Sequence, residues 1–204
     1  KFPETFRIHF QKNIFPEIDV NLLRSKIHNV EHHRAHLASA FFASPFEEAA
    51  ILSIDGSGDF STTMLATGKG NKIEVITSID FPHSIGIFYS AMTQFLGFPH
   101  YGDEYKVMGL APYGKPLYID KLKKLVKLSD DGLFTLDLSY FRATKSGVVS
   151  YGSDNLPVVA QLFDEKFTNL FGKPRSKNDE LTDYHKDLAA SVQRVTEELI
   201  FYIL

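Results

Sequence analysis

At 204 residues the chain is long enough to bury a proper core, as one large domain or two small ones. Hydrophobic content of 44% with 23% charged residues is ordinary for a soluble globular protein, and a net charge of −3 argues against non-specific nucleic-acid binding. No apolar run is long enough to span a bilayer, and the absence of cysteine excludes disulfides, thiolate ligands and a thiol nucleophile, which fits a cytoplasmic setting.

In chain order, Phe2, Phe6, Ile8 and Phe10 are spaced for an amphipathic segment within residues 1–24. Residues 27–30 suit a short strand leading into a helix over residues 33–42, which Ser44-Pro45-Phe46 closes. Three strands follow, at residues 49–55, 61–68 and 72–78, joined by glycine turns at 56–58 and 68–71. A helix over residues 85–96 carries Ile85, Phe88, Tyr89, Met92 and Phe95 on one stripe, which is core packing rather than a cofactor box. A glycine-rich polar loop spans 97–114, then a lysine-rich helix 117–127, and a hairpin and loop insertion 129–155. Helices over 156–171 and 183–204 complete an α/β arrangement. There is no initiating Met, and residues 197–204 stop inside an apolar helical pattern without a cap. We expect an internal fragment of a longer protein.

The chemistry concentrates between His32 and Gly58. The stretch Val30-Glu31-His32-His33-Arg34-Ala35-His36 places His32 and His36 four apart, so on a helix both imidazoles leave one face and can share a cation. Asp55 ends the apolar run Ala50-Ile51-Leu52-Ser53-Ile54, where a strand would deliver a carboxylate to the edge of a cleft. Two neutral nitrogens and a carboxylate suit a divalent transition ion such as iron, manganese or zinc. Gly56 and Gly58 let the backbone approach a ligand, and the N–H groups of Gly56, Ser57, Gly58 and Asp59 could hold phosphate oxygens. The plainer alternatives are a solvated or core histidine pair and an ordinary Asp-Gly-Ser-Gly turn. His33 points away from the other two and is structural. His28, His100 and His185 read as surface residues.

Five blocks carry a resemblance. The run His32-His33-Arg34-Ala35-His36-Leu37-Ala38-Ser39-Ala40-Phe41-Phe42 with Ser44-Pro45-Phe46-Glu47-Glu48-Ala49-Ala50 resembles the O-carbamoyltransferases of nodulation and antibiotic biosynthesis. Asp55-Gly56-Ser57-Gly58-Asp59, Phe81-Pro82-His83-Ser84-Ile85-Gly86 and Glu104-Tyr105-Lys106-Val107-Met108-Gly109-Leu110-Ala111-Pro112-Tyr113-Gly114 agree in order, as does Asp187-Leu188-Ala189-Ala190-Ser191-Val192-Gln193. Where this family often has Gly-Glu, the chain has Gly58-Asp59, which keeps the acid.

The resemblance implies an actin, sugar-kinase and Hsp70-type (ASKHA, ribonuclease H-like) domain. Residues 1–48 would close its first subdomain and 49–204 begin the second. It implies that carbamoyl phosphate and ATP become carbamoyl adenylate and pyrophosphate, and that the carbamoyl group passes to a hydroxyl of a sugar or natural-product acceptor. It assigns His32, His36 and Asp55 to the metal. The family's opening segment, a fourth metal ligand, an adenosine-binding segment and a C-terminal domain would lie outside these residues, so the missing parts of the same protein are expected partners. Within the later blocks, Lys106 could contact a phosphate or the carbamoyl group, and Glu104 could bind ribose hydroxyls or a metal-bound water, or simply pair with Lys106. Ser84 is an N-cap or a ligand contact, and Gly109 is assigned with it to the cofactor. Two other classes share part of the pattern. An actin-like ATP-binding regulatory module would have the Asp-Gly turn without needing His-x-x-x-His, and a metal-dependent phosphohydrolase would keep the triad without needing the 104–114 block.

Overall fold

The computed structural model describes residues 19–142, 148–151 and 157–204. It shows an α/β arrangement of small antiparallel sheets and helices. The amphipathic segment expected around Phe2 to Phe10 lies outside the described residues, as does part of the insertion at 129–155.

The centre is a three-stranded antiparallel meander of β1 (Glu48–Gly58), β2 (Ser61–Lys69) and β3 (Lys72–Asp80). Gly70, at φ 56°, makes the tight turn between Lys69 and Lys72, a backbone conformation that glycine adopts at no steric cost. The first connection differs from expectation. Residues 56–58 continue β1 instead of turning, and the reversal falls at Asp59 and Phe60. Between the pairs Ile54↔Thr63 and Gly58↔Ser61 the register slips, so β1 carries extra residues as a bulge. Bulges kink a strand and re-aim its side chains, and here the bulge begins at Asp55.

Alternation along β1 gives its two faces different neighbours. Ile51 packs with Met64, Ala66, Leu37 and Phe41 on one face, while Leu52 and Ile54 pack against the larger core on the other. The first cluster belongs to α2 (His32–Phe41), which buries His33, Leu37 and Phe41 at i, i+4 and i+8. Glu31 N-caps this helix by accepting from His33 N and Arg34 N at 3.0 and 2.7 Å. A short helix α1 (Val20–Lys26) precedes it, started by Asp19. No strand forms at residues 27–30; His28, Asn29 and Val30 are exposed, and a strand without a partner leaves its backbone to water.

Beyond the meander, α3 (Ile85–Phe95) matches the expected helix closely and sits at the heart of the main core. The 97–114 region is not all loop. It contains α4 (Glu104–Leu110) and a 3-10 turn over Ala111–Tyr113, because Val107 and Ala111 reach the core. The expected lysine-rich helix is cut to α5 (Ile119–Leu122) and a 3-10 turn at Lys123–Leu125. The chain then enters β4 (Val126–Leu128), which pairs with β5 (Phe134–Leu136). Burial of Leu122 and Leu125 and the cross-strand pairing override the helix propensity of the lysines. A second small pair, β6 (Val148–Tyr151) with β7 (Pro157–Val159), occupies the start of the expected 156–171 helix. That helix begins only at α6 (Glu165–Phe171), N-capped by Asp164. Phe95, Phe163, Phe167 and Phe171 then stack edge-on and tilted against one another. Finally α7 (Asp183–Ile203) runs the length of this core. Among the described residues no helix is long and apolar enough to cross a membrane.

Candidate metal centre and adjoining cleft

Asp55, His32 and His36 come together. Asp55 lies at the β1 bulge on the face that α2 covers, and the two histidines flank the buried stripe of α2 one turn apart. His32 Nε2 is 2.9 Å from Asp55 Oδ2, His36 Nε2 is 2.9 Å from His32 Nε2, and His36 Nε2 is 3.6 Å from Asp55 Oδ2. All three donor atoms lie within 4.8 Å of one another. Donors on a four-coordinate ion with bonds near 2.0–2.1 Å stand roughly 3.3 Å apart, and these separations straddle that value. Two imidazole nitrogens and one carboxylate oxygen form a set that iron, manganese or zinc accepts. The residues present therefore fit a divalent metal.

The surroundings hold this geometry. Burial raises the Asp55 carboxyl, but hydrogen bonds from His32 and from the Gly56 N–H, with the charges of both histidines, outweigh it and leave the group below its ordinary value. The Gly56 N–H donates to Asp55 Oδ1 at 2.6 Å. The His32 ring rests on Gly58, where a Cβ would fall 1.9 Å from His32 Cδ2. On the other side, α3 abuts the Asp55–Gly56 backbone so closely that a Cβ on Gly86 would lie 2.6 Å from Gly56 Cα. Ser84, fully buried, N-caps α3 through Ile87 N at 3.1 Å and donates to the Asp55 carbonyl at 3.1 Å. Asp59, at φ 53°, accepts from the His32 N–H at 3.0 Å, so its carboxylate closes the start of α2.

A cleft of about 500 Å³ opens beside Asp55 and Gly56, walled by α3, α4 and α7. Glu104 lines it and accepts a hydrogen bond from Ser90. The plainer alternative, a Glu104–Lys106 pair, does not form. Lys106 pairs with the buried Asp103, which raises its pKa above the ordinary lysine value. Gly109 lies on the exposed side of α4, with open space where a Cβ would stand. Of the three histidines read as surface residues only His28 is exposed, while His185 works in the N-terminal cap of α7 and His100 has ring nitrogens withdrawn from water. His33 is structural, as expected, with both nitrogens bonded.

Sequence reasoning missed the polar wall of the cleft. Tyr89 donates to Gln193 Oε1 at 3.0 Å, Gln193 donates to Glu197 Oε1 at 3.0 Å, and Thr196 presents a buried hydroxyl without a partner among the described residues. Burial, reinforced by Glu104 and Glu197, pushes the Tyr89 phenol well above its usual range, so it stays a neutral donor. Gln193 and Thr196 at i, i+3 on an otherwise apolar helix face were the available signal.

A carboxylate at the β1 bulge and two helix-borne imidazoles thus form a donor set of the kind a divalent metal accepts, beside a cleft with polar walls. Comparison with known proteins sharpens this. Residues 7–203 match the carbamoyltransferase N-terminus family, and the chain belongs to that family. It is 45% identical over 83% of its length to an uncharacterized protein of Synechocystis, of which it covers 26%. It is 33% identical over 88% of its length to nodulation protein NolNO of Sinorhizobium fredii, covering 23% of it. With nodulation protein NolO of Bradyrhizobium diazoefficiens it shares 32% identity over 86% of its length, covering 28% of that protein. The chain thus spans about a quarter of the length of these relatives.

Proposed function

We propose that this chain is part of an O-carbamoyltransferase that forms carbamoyl adenylate from carbamoyl phosphate and ATP and passes the carbamoyl group to a hydroxyl of a sugar or natural-product acceptor. Family membership supports the carbamoyltransferase reading, and the relatives named as nodulation proteins favour a biosynthetic acceptor. The observation that carries it in this molecule is the convergence of His32, His36 and Asp55 beside the 500 Å³ cleft. In this reading those three residues hold a divalent metal, which when bound supplies positive charge to phosphate oxygens. The Asp55–Gly56 backbone, braced by Ser84 and Gly86, forms a rigid edge of the cleft. The segment from Ser57 to Asp59 contributes main-chain N–H groups toward phosphate, the Gly56 N–H being given to Asp55 Oδ1, and Glu104 sits in the wall that faces a ribose or acceptor hydroxyl. Lys106 and Gly109 are the weaker parts of the assignment: Lys106 is held by Asp103, and Gly109 lies exposed on α4 and does not line the cleft. The ASKHA-type architecture, with 1–48 closing one subdomain and 49–204 opening the next, belongs to the same proposal, as does the cytoplasmic setting.

The test is to incubate the intact protein with carbamoyl phosphate, ATP and a divalent metal. Phosphate, pyrophosphate and carbamoyl adenylate should all appear. Asp55→Asn should lower pyrophosphate release by about a hundredfold or more, since one ligand of the charge-stabilising site is neutralised. Wild-type release in that variant, or hydrolysis of ATP with no carbamoyl adenylate, would refute the reading.

A further inference from the structure

We infer that His33 is a positioning residue for the metal centre: its buried imidazole latches α2 onto the β1–β2 hairpin in the one register that aims His32 and His36 at Asp55. The inference rests on the metal reading above and goes beyond it by naming what holds the donors in place.

The His33 ring is fully buried, and both its nitrogens are used. Nε2 is 2.9 Å from the Ser61 carbonyl oxygen, and Nδ1 is 2.8 Å from Ser53 Oγ. A carbonyl can only accept, so Nε2 carries the hydrogen, and in the neutral ring Nδ1 accepts the Ser53 hydroxyl. His33 therefore has no nitrogen left for a metal. Its two partners are placed on the elements that build the site. Ser53 precedes Asp55 by two residues, on the same face of β1 by strand alternation. Ser61 pairs with Gly58, whose bare Cα supports the His32 ring.

Further along α2, Leu37 and Phe41 make apolar contacts with Ile51, Met64 and Ala66. Such contacts are non-directional and tolerate sliding and rotation. A slip of one residue turns a helix by about 100°, which would carry both donor imidazoles away from Asp55. Two directional bonds at the first turn remove that freedom. Asp59, in the left-handed position of the β1–β2 turn, adds a third by accepting from the His32 N–H. A buried imidazole is costly where a leucine would pack, unless its bonds are specific. Register is what those bonds secure.

The test titrates Co²⁺ into the intact wild type, His32→Ala, His33→Phe, His33→Gln and Ser53→Ala, reading affinity and the Co²⁺ d–d absorption bands, with far-UV circular dichroism as the check on folding. His33→Phe keeps the ring volume and removes both bonds. It should bind Co²⁺ about 10–100-fold more weakly, in the range seen when outer-shell partners are removed, with displaced d–d bands. His33→Gln can still donate to the Ser61 carbonyl and should recover part of the loss. Binding by His33→Phe within threefold of wild type, with an unchanged spectrum, overturns the inference. If His33→Phe does not fold, Ser53→Ala decides, since it deletes a single hydroxyl: weakened binding with shifted bands supports the latch, and wild-type binding and spectrum reject it. Equal titrations of wild type and His32→Ala would instead mean that the metal assignment itself is wrong, leaving His33 nothing to position.

Discussion

Two glycines show how tightly individual residues are constrained here. Gly86 has the Gly56 Cα in the place its own Cβ would take, whereas Gly109 has nothing within 4 Å. Gly86→Ala should therefore destabilise the fold by about 1–3 kcal/mol through overpacking. Gly109→Ala, at the exposed penultimate position of α4, should stabilise it by up to about 0.5 kcal/mol. Thermal unfolding of both variants checks the opposite signs. The same Gly109 variant tests the cofactor assignment, because a stabilised protein with undiminished activity would remove Gly109 from the ligand site. The donors themselves give a second expectation at this scale. His32→Ala and His36→Ala should each lose bound metal on elemental analysis, and a double variant that keeps one equivalent would disprove the centre. His32 and His36 were legible because their spacing alone places them on one helix face. The partners of His33 were not, because Ser53 and Ser61 carry no spacing signal and meet the ring only across the hairpin.

Among the elements, α7 carries a pH-dependent start. The Thr182 N–H donates to His185 Nδ1 at 3.1 Å, an acceptor role that a protonated ring cannot fill. Burial, helped by Arg175 and partly opposed by Asp179, lowers the His185 pKa from 6.5. The folded state thus binds this proton less readily than the unfolded chain. The stabilisation is present above the unfolded value of 6.5 and is lost as pH falls through the lower folded value. Gln can accept the same bond without titrating. Between pH 7.5 and 5 the wild type should therefore lose about 0.5–1 kcal/mol more stability than His185→Gln, the scale of one helix cap. Parallel losses in denaturant titrations would rule out the cap as a pH-sensitive element. In the aromatic core, Phe167→Ala should cost about 3–5 kcal/mol, since Phe167 is fully buried against Phe95, Phe141, Phe163 and Phe171. Helices whose apolar stripe is long and regular, α3 and α7, were readable in advance. The short ones were not: α4, only seven residues long, forms where Val107 and Ala111 pack into the core despite Gly109, and the lysine-rich helix yields to pairing of β4 with β5.

For the molecule as a whole, the cleft beside Asp55 is partly open, and the relatives that share this sequence are roughly three to four times as long. We expect residues 1–204 alone to turn over carbamoyl phosphate and ATP at least about a hundredfold more slowly than the intact protein, because phosphate chemistry depends on positioning from both walls of a cleft. Turnover within tenfold of the intact protein, about 1.4 kcal/mol in barrier, would show that these residues hold a complete active site. The amino-acid sequence by itself determined the family, through ordered motif blocks, and the meander that carries Asp55, through strand alternation and glycine turns, and it marked His32, His36 and Asp55 as candidate donors. The tertiary structure alone decided that residues 56–58 extend β1 through a bulge, that Glu104 binds Ser90 while Lys106 binds Asp103, and that Tyr89, Gln193 and Thr196 wall the cleft. These outcomes depend on which of several compatible partners lies nearest once the core has closed, and the distance between residues far apart in the chain is set by packing rather than by any local pattern.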